Sequence, residues 1–444
     1  MSLIVALALT LLLGLLGSRF TGRLVRPEDG ALYRAVLGLF AGCLVFHAAM
    51  VLLDAAGIPW SRLSLFAALV PVGLLAHALL PRAPERVTQP LDAGGWGRWG
   101  WGDNLALFAL LAFALFSLAL WIVMPDFVYH WGVKGARFFY DRSIDYAYLS
   151  RGWNWPINPD YPTMLAEIYA SVALFAGRFD ESAMMLIGVV WVAAMLVTVR
   201  ETLRQAGAER FVRQAAIAVV ALSVATFGLG HIMGGAADWM IVLALIAALP
   251  PLLAPLSRTT DLQIGLVGAF AAASKTEGVV LAAFLILVQL ARHALPRVWR
   301  EPGWLWRESW KTGLRLGLPA AAVVLPWLAA VRFQHLYHPL KSGPFDWERA
   351  AVIGPALLRV FQIDSWHQIP WCLVLVPLLW LDRRVRPVAA VVTLQALFYL
   401  YVYFTAQADV EYLVLTSGPR LLLHLVPAVL TLGAVAFRWK SPVI

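Results

Sequence analysis

The chain has 444 residues, of which 61% are hydrophobic and 14% are charged. A soluble domain averages about 25% charged residues, so too little polar surface is present to cover a water-soluble globule. The net charge of +9 does not indicate a nucleic-acid partner, because no basic–aromatic RNA motif or DNA-reading module is present and basic loops are ordinary in membrane proteins. The two cysteines, Cys43 and Cys372, lie in apolar runs, which argues against a disulfide framework and a cysteine-based metal site.

The N-terminal apolar run predicts a first membrane helix and not a secretory signal, because its arginines follow the run instead of preceding it. Similar runs recur to the end of the chain, and the alternating pattern of an outer-membrane barrel is not seen. The predicted fold is an all-α polytopic membrane protein with about 13 transmembrane helices. The predicted spans are 2–17, 31–53, 61–80, 104–124, 183–199, 212–229, 238–256, 262–276, 278–295, 313–333, 366–381, 387–405 and 419–437.

Two further apolar stretches, 163–177 and 350–363, each contain a charged residue and are predicted to lie in the membrane interface. With both stretches outside the membrane, the basic loops all fall on one side, which the positive-inside rule makes the cytoplasmic side. The N-terminus is then outside and the C-terminus inside. The long segments 125–182 and 334–365 fall on the outer face, and loops of this length are usually functional.

Ionisable residues at membrane depth are costly, which makes them candidates for function. Four of them follow the span 104–124 and share one face if the segment is helical. They are Asp126, His130, Lys134 and Arg137. A carboxylate, an imidazole and two cations on one face suit an acid–base site beside a phosphate, whereas the alternative is an ordinary solvated interfacial helix.

A second group lies around Asp160 in the same outer loop. Asp160 could be a catalytic base, or it could cap the interfacial helix that follows it. Trp153 and Trp155 could stack on a sugar ring, but tryptophans are also common as anchors at the membrane interface.

Two turns between predicted spans also contain charged residues. His231 and Asp238 lie in a glycine-rich turn that could bind a divalent cation such as Mg²⁺ or Mn²⁺, bind a polar substrate, or be a simple turn. Lys275 and Glu277 interrupt an otherwise nearly continuous apolar stretch. A phosphate-binding lysine held by a carboxylate is favoured over a structural ion pair, and Glu277 is also a candidate catalytic carboxylate.

The last predicted span begins with Arg420 and His424, one helical turn apart. A cation near a helix N-terminus, where the dipole also favours an anion, fits phosphate binding. The alternative is an interfacial arginine whose head reaches water. His130, Tyr161 and His231 are further candidates for contact with a sugar or an acceptor.

These residues form an ordered series of short motifs. Asp126 is followed by His-Trp-x-x-Lys, and Asp160 begins Asp-Tyr-Pro. An Ala-Asp turn follows at Asp238, then Lys-x-Glu-Gly at Lys275 and Thr-Ser-x-x-Arg-Leu-Leu at Arg420. The series resembles bacterial GT-C glycosyltransferases related to the protein O-mannosyltransferases and the lipid A aminoarabinose transferases.

The resemblance covers about residues 104–437 and implies a catalytic membrane domain at 104–444, preceded by additional helices at 1–103. It implies an inverting transfer on the periplasmic face of the bacterial inner membrane. A polyprenyl-phosphate sugar would be the donor, and a hydroxyl of a glycan, a lipid or a protein would be the acceptor.

Residue by residue, the resemblance implies Asp126 as the general base and Asp238 as the second acidic position. It also implies Lys275 and Arg420 as the cations beside the leaving phosphate. The chain departs from the family pattern at Phe127, where a second acidic or basic residue is usual.

Several alternatives stay open. Asp160 rivals Asp126 as the base. A secondary transporter would be expected to show internal repeats and broken helices near the midplane, and neither is evident. A non-catalytic lipid-handling protein would not need Asp126, Lys275 and Arg420 to converge. No phosphate-loop motif is present, so direct use of ATP is not expected.

Overall fold

A computed structural model describes residues 1–22, 24–79, 99–230, 234–296, 309–336, 338, 343–362 and 369–436. These residues form helices and no strand, which confirms the predicted all-helical class. The α-helices are α1 (Ser2–Thr21), α2 (Ala31–Ala55), α3 (Arg62–Leu79), α4 (Trp101–Ala119), α5 (Gly132–Asp141), α6 (Tyr146–Leu149), α7 (Met164–Ala176), α8 (Glu181–Gln205), α9 (Arg210–Gly230), α10 (Asp238–Leu253), α11 (Arg258–Ser274), α12 (Thr276–Ala294), α13 (Ser309–Phe333), α14 (Ala350–Phe361), α15 (Val376–Leu379), α16 (Arg386–Thr405) and α17 (Val410–Ala436).

Eight of the helices within these described ranges are long and apolar enough to cross a membrane, as expected for a polytopic membrane protein. They are α1, α2, α4, α8, α12, α13, α16 and α17. The shorter helix α10 is buried along its length from Asp238 to Leu252. A helix that is apolar on every side is one that other helices surround, so α10 occupies the centre of the bundle.

Helix α7 corresponds to the stretch predicted to lie in the interface, but it is packed inside the bundle. Its side chains from Met164 to Leu174 are all buried. The fully buried Glu167 is bonded to the His47 imidazole of α2 at 2.6 Å and to the Thr163 hydroxyl at 2.6 Å. Because these partners satisfy the carboxylate, α7 can bury a charged residue that seemed from the sequence to require the interface.

A polar network joins two loops that were predicted to share the cytoplasmic side. The Arg26 guanidinium bonds the Asp29 carboxylate and the Gln205 side chain, and Glu201 accepts a bond from the Gly30 amide. Arg26 also reaches the Pro250 carbonyl, near the end of α10. Since Asp238 begins α10, this network and the Asp238 side chain lie about 20 Å apart, at opposite ends of one central helix.

The N-terminal helices belong to the same packed body as the rest of the described chain. One hydrophobic core contains Phe40 of α2, Phe270 of α11 and Val426 of α17. The Phe40 and Phe270 rings stack with centroids 4.0 Å apart. Residues before and after position 104 therefore share one core.

Candidate functional site

Four charged side chains from distant parts of the chain meet at one end of the bundle. Asp126 follows α4, Asp238 begins α10, Lys275 separates α11 from α12, and Arg420 lies in the third turn of α17. The predicted position of Arg420 near a helix N-terminus is wrong, because α17 begins at Val410. The Arg420 guanidinium binds the Asp126 carboxylate through both Nη atoms, with Nη1 2.8 Å from Oδ1. The same guanidinium donates from Nη2 to Asp238 Oδ2 at 2.9 Å. We call these residues, with Glu277 and His424, the charged cluster.

Asp238 is the centre of the charged cluster and is fully buried. Its Oδ1 accepts from Lys275 Nζ at 3.2 Å and from His424 Nε2 at 3.0 Å. Lys275 Nζ also contacts Glu277 Oε1 at 3.1 Å. A buried carboxylate is stable only when cations and donors surround it, and here three side chains from two segments of the chain supply them. The predicted pair of Lys275 and Glu277 is therefore one part of a larger network.

Close backbone contacts at glycines fix two of the segments that hold the cluster. A Cβ atom on Gly188 of α8 would lie 1.6 Å from the Gly234 carbonyl oxygen, just before Asp238. A Cβ atom on Gly278 would lie 1.9 Å from the Ala271 carbonyl oxygen, across the turn that contains Lys275. Only glycine allows backbones to approach this closely.

Tyr399 of α16 extends the cluster and was not identified from the sequence. Its hydroxyl lies 2.5 Å from His424 Nδ1. Because a carboxylate accepts at His424 Nε2, that nitrogen carries the proton, and Nδ1 accepts from the tyrosine in the neutral tautomer. Tyr399 thereby orients His424, and His424 donates to Asp238 without adding a charge.

The predicted common face after α4 is wrong at Arg137. Residues Phe127–Trp131 form a π-helical turn, which shifts the register of everything that follows. Arg137 is turned away and pairs with Asp145 at 2.6 Å. Lys134 is fully buried, donates to the Asn158 carbonyl at 2.6 Å and lies over the Trp131 ring at 5.2 Å. Neither predicted phosphate ligand lines the cavity described next.

The charged cluster faces a cavity of about 90 Å³, which we call the charged cavity. Its lining residues are Asp126, His130, Trp131, Asn158, Tyr161, Asp238, Lys275, Glu277, Ser417, Arg420 and Leu421. Two buried polar atoms of this lining have no hydrogen-bond partner among the described residues: Arg420 Nε, a donor, and Glu277 Oε2, an acceptor. Buried polar atoms are rarely left unpaired, so these two atoms are available to a bound group that has both acceptors and donors.

Burial controls the protonation of Asp126 and His130, which lie just before α5. It raises the pKa of Asp126, and the neighbouring Arg420 only partly opposes this effect. Burial, followed by the positive charge of Lys134, lowers the pKa of His130 to about 3. His130 is therefore neutral near pH 7, and its Nδ1 lies 3.2 Å from the Asn158 side-chain amide. Asp126 thus keeps more basicity than an exposed aspartate bound to an arginine would have.

Asp160 lies in a separate cavity of about 170 Å³, which we call the valine cavity. Its lining residues are His47, Asp160, Pro162, Thr163, Ala272, Thr276, Val279, Val280, Val323, Val324, Trp327, Leu328 and Val331. The capping role considered for Asp160 is wrong, because α7 begins at Met164 with Thr163 as its N-cap. The Asp160 carbonyl instead accepts from the Trp327 indole at 2.9 Å.

The remaining aromatic and histidine candidates divide into three groups. Tyr161 and His130 line the charged cavity, as predicted for contacts to a sugar or an acceptor. Trp153 does not line it, because its side chain is 73% exposed and lies beside Arg151. His231 and the side chain of Trp155 lie outside the described residues.

Around Asp238, where a divalent cation was considered, the described side chains that contact the carboxylate are basic. Both oxygens of Asp238 and both oxygens of Asp126 already accept bonds from cationic or imidazole donors. In the part of the chain that the structure describes, no group of three acidic, histidine or cysteine side chains is arranged to hold a metal ion. The positive charge that the carboxylates face comes from Arg420 and Lys275.

Comparison of the chain with protein-family models, with curated proteins and with solved structures gives no match. The resemblance to GT-C glycosyltransferases therefore rests on the ordered motifs alone. What the structure adds is that four of these motifs, centred on Asp126, Asp238, Lys275 and Arg420, meet in one cluster.

Proposed function

We propose that the chain is a GT-C-type glycosyltransferase of about 13 spans that acts on the periplasmic face of a bacterial inner membrane. It would move a sugar from a polyprenyl-phosphate donor to a hydroxyl acceptor. The observation that carries the proposal is the convergence of Asp126, Lys275 and Arg420 from distant segments onto one cavity. A scaffold or lipid-handling protein has no need for this convergence.

Asp126 is the proposed general base. The acceptor hydroxyl donates its proton to the Asp126 carboxylate while its oxygen forms a bond to the anomeric carbon. The bond from that carbon to the phosphate oxygen breaks, and its electron pair leaves with the phosphate. The raised pKa of Asp126 suits this role, since a base works best when its pKa approaches the working pH.

Lys275 and Arg420 are the proposed ligands of the leaving phosphate. Lys275 is 3% exposed and its ammonium group is fixed by Asp238 and Glu277. Arg420 has its buried Nε donor open for a phosphate oxygen while its Nη atoms hold the two aspartates. Fixed cations in a site that excludes water stabilise developing negative charge more strongly than cations in bulk solvent.

The walls of the charged cavity suit a sugar. The rings of Trp131 and Tyr161 stack with centroids 5.9 Å apart and an interplanar angle of 23°. Tyr161 presents an aromatic surface to the cavity, and the open Glu277 Oε2 can accept from a sugar hydroxyl.

A transfer assay tests the proposal. The purified protein would receive radiolabelled polyprenyl-phosphate sugars and a membrane extract from its own host as acceptor. Asp126→Asn is expected to fold and to lose transfer by roughly 100-fold or more, because proton abstraction by a positioned base contributes about 10²–10⁴-fold.

Asp160→Asn is the matched control, because Asp160 is the rival base and lies in the valine cavity. It is expected to retain transfer. Loss of transfer in Asp160→Asn with retention in Asp126→Asn would reassign the base. The absence of transfer from every donor in a folded wild-type preparation would reject the glycosyltransferase and favour a transporter.

A further inference from the structure

A third cavity also has the Asp126–Arg420 pair in its lining. It has a volume of about 420 Å³, which is in the range of small-molecule sites. Most of its described lining is apolar and includes Met124, Phe127 and Leu415. We call it the apolar cavity. Among the described residues that line it, Asp126 and Arg420 alone are charged, and both also line the charged cavity.

The Asp126–Arg420 pair therefore forms a wall shared by the two cavities. Each carboxylate oxygen can accept two hydrogen bonds, and Arg420 supplies one to each oxygen of Asp126. Asp126 can thus still accept a proton from a group on the far side of the wall. A hydroxyl in the apolar cavity would meet this carboxylate at the only acidic point of the described lining.

The chemistry of the apolar cavity selects among acceptors. A soluble glycan or a polar peptide segment would leave many hydrogen-bonding groups unpaired against Met124, Phe127 and Leu415, and burying unpaired polar groups is unfavourable. A hydroxyl on an apolar carrier matches both the walls and the carboxylate.

The surface beside the apolar cavity also suits a lipid. Large apolar side chains on the outer part of α4 and just after it are exposed, including Leu115 at 67% and Ile122 at 67%. This exposed apolar strip leads along the chain to Met124, which lines the cavity. In a helical membrane protein such a strip faces lipid chains, so a lipid can reach Asp126 without crossing water.

We infer that the apolar cavity is the acceptor site and that the acceptor is a lipid-borne hydroxyl, with the apolar carrier held between the end of α4 and the start of α17. This assignment rests on the proposed function for its catalytic meaning. The donor then lies on the Lys275 side of the Asp126–Arg420 wall, and the acceptor lies on the Leu415 side.

The first test measures occupancy without turnover. Full-length protein in lipid nanodiscs would be irradiated with a long-chain alkyl glucoside that carries a diazirine in its chain, and the labelled peptides identified by mass spectrometry. Labelling is expected at 124–127 and 412–419. Thr416→Trp fills the cavity, and among the described residues the Thr416 hydroxyl bonds only backbone carbonyls of its own helix. It should reduce labelling by about tenfold, because the indole would occupy the space that the alkyl chain needs.

Leu397→Trp is the control, because Leu397 is 56% exposed on α16 and lines none of the three named cavities. It should leave labelling unchanged. The inference is overturned if the probe labels other segments, or if Thr416→Trp labels as strongly as wild type.

The second test separates this inference from the proposed function. Hydrolysis of the labelled donor by water needs no acceptor, so in wild type it reports donor turnover independently of the acceptor site. Wild type should use the alkyl glucoside at a concentration about tenfold or more below that of methyl glucoside. Equal use of the two glucosides would overturn the acceptor assignment, whereas labelling without any donor turnover would overturn the glycosyltransferase and leave the lipid site standing.

Discussion

Replacing Lys275 with methionine removes one positive charge from the charged cluster and tests how much that charge contributes to stability. Lys275 is buried and contacts Asp238 and Glu277 at 3.2 and 3.1 Å. Asp238 would keep Arg420 and His424 as partners, but Glu277 would lose the Lys275 ammonium while its Oε2 is already unpaired among the described residues. An uncompensated buried charge costs about 3–5 kcal/mol, and the partial exposure of Glu277 places the expected loss near the lower end.

The double variant Lys275→Met/Glu277→Gln removes the stranded charge and is expected to recover most of the lost stability, leaving a deficit of about 1 kcal/mol. Lowering the pH should also rescue Lys275→Met alone, because Glu277 can then take up a proton. Unfolding in mixed micelles at two pH values measures both effects. A double variant as unstable as Lys275→Met would refute this reasoning.

Donor binding should respond differently from stability. A hydrogen bond to a charged group contributes about 1.5–3 kcal/mol, so Lys275→Met should weaken the binding of polyprenyl phosphate by roughly 10–100-fold. The double variant should not restore binding, because the phosphate ligand is still missing. Full recovery of binding in the double variant would show that Lys275 acts only on the fold.

Two further predictions concern Asp126 and the helix contacts. Transfer should rise as the pH increases through the raised pKa of Asp126, because only the carboxylate form can take the proton. Arg420→Lys loses the bidentate contact to Asp126, so it should move the acidic limb of the kcat/KM profile to higher pH. An acidic limb at the same pH in wild type and variant would contradict the pairing. Gly188→Ala places a Cβ atom against the Gly234 carbonyl and should lower the free energy of unfolding by about 1–3 kcal/mol. Gly317→Ala is the control, because its Cβ would meet nothing within 4 Å, and it should not lower the free energy of unfolding. Equal stabilities of the two variants would refute the close packing.

The positions of the helices were predictable because apolar runs of membrane length have few alternatives to a helix. The predicted spans 31–53 and 387–405 correspond to α2 and α16 within about two residues. The placement of α7 was not predictable, because the partner of Glu167 is His47, which lies 120 positions earlier in the chain. Periodicity reports which residues share a face and does not report which distant side chain will neutralise a charge.

The candidate site also contains some residues that were predictable from the sequence and others that were not. Asp126, Asp238, Lys275 and Arg420 could be identified because each is an ionisable residue at the end of an apolar run or inside one. Tyr399 could not, because a tyrosine in a span has the same signature as an interfacial aromatic residue. The π-helical turn after Asp126 also has no clear sequence signal, so a regular helical face was predicted where the register shifts.

The direct test of the central proposal is a structure of Asp126→Asn, in nanodiscs, with an intact polyprenyl-phosphate sugar. We expect the phosphate within about 3 Å of Lys275 Nζ and Arg420 Nε, the sugar against Tyr161, and residue 126 facing the anomeric carbon. A phosphate bound away from the charged cavity, in a well-folded complex, would contradict the assignment of this cluster to a lipid-linked sugar.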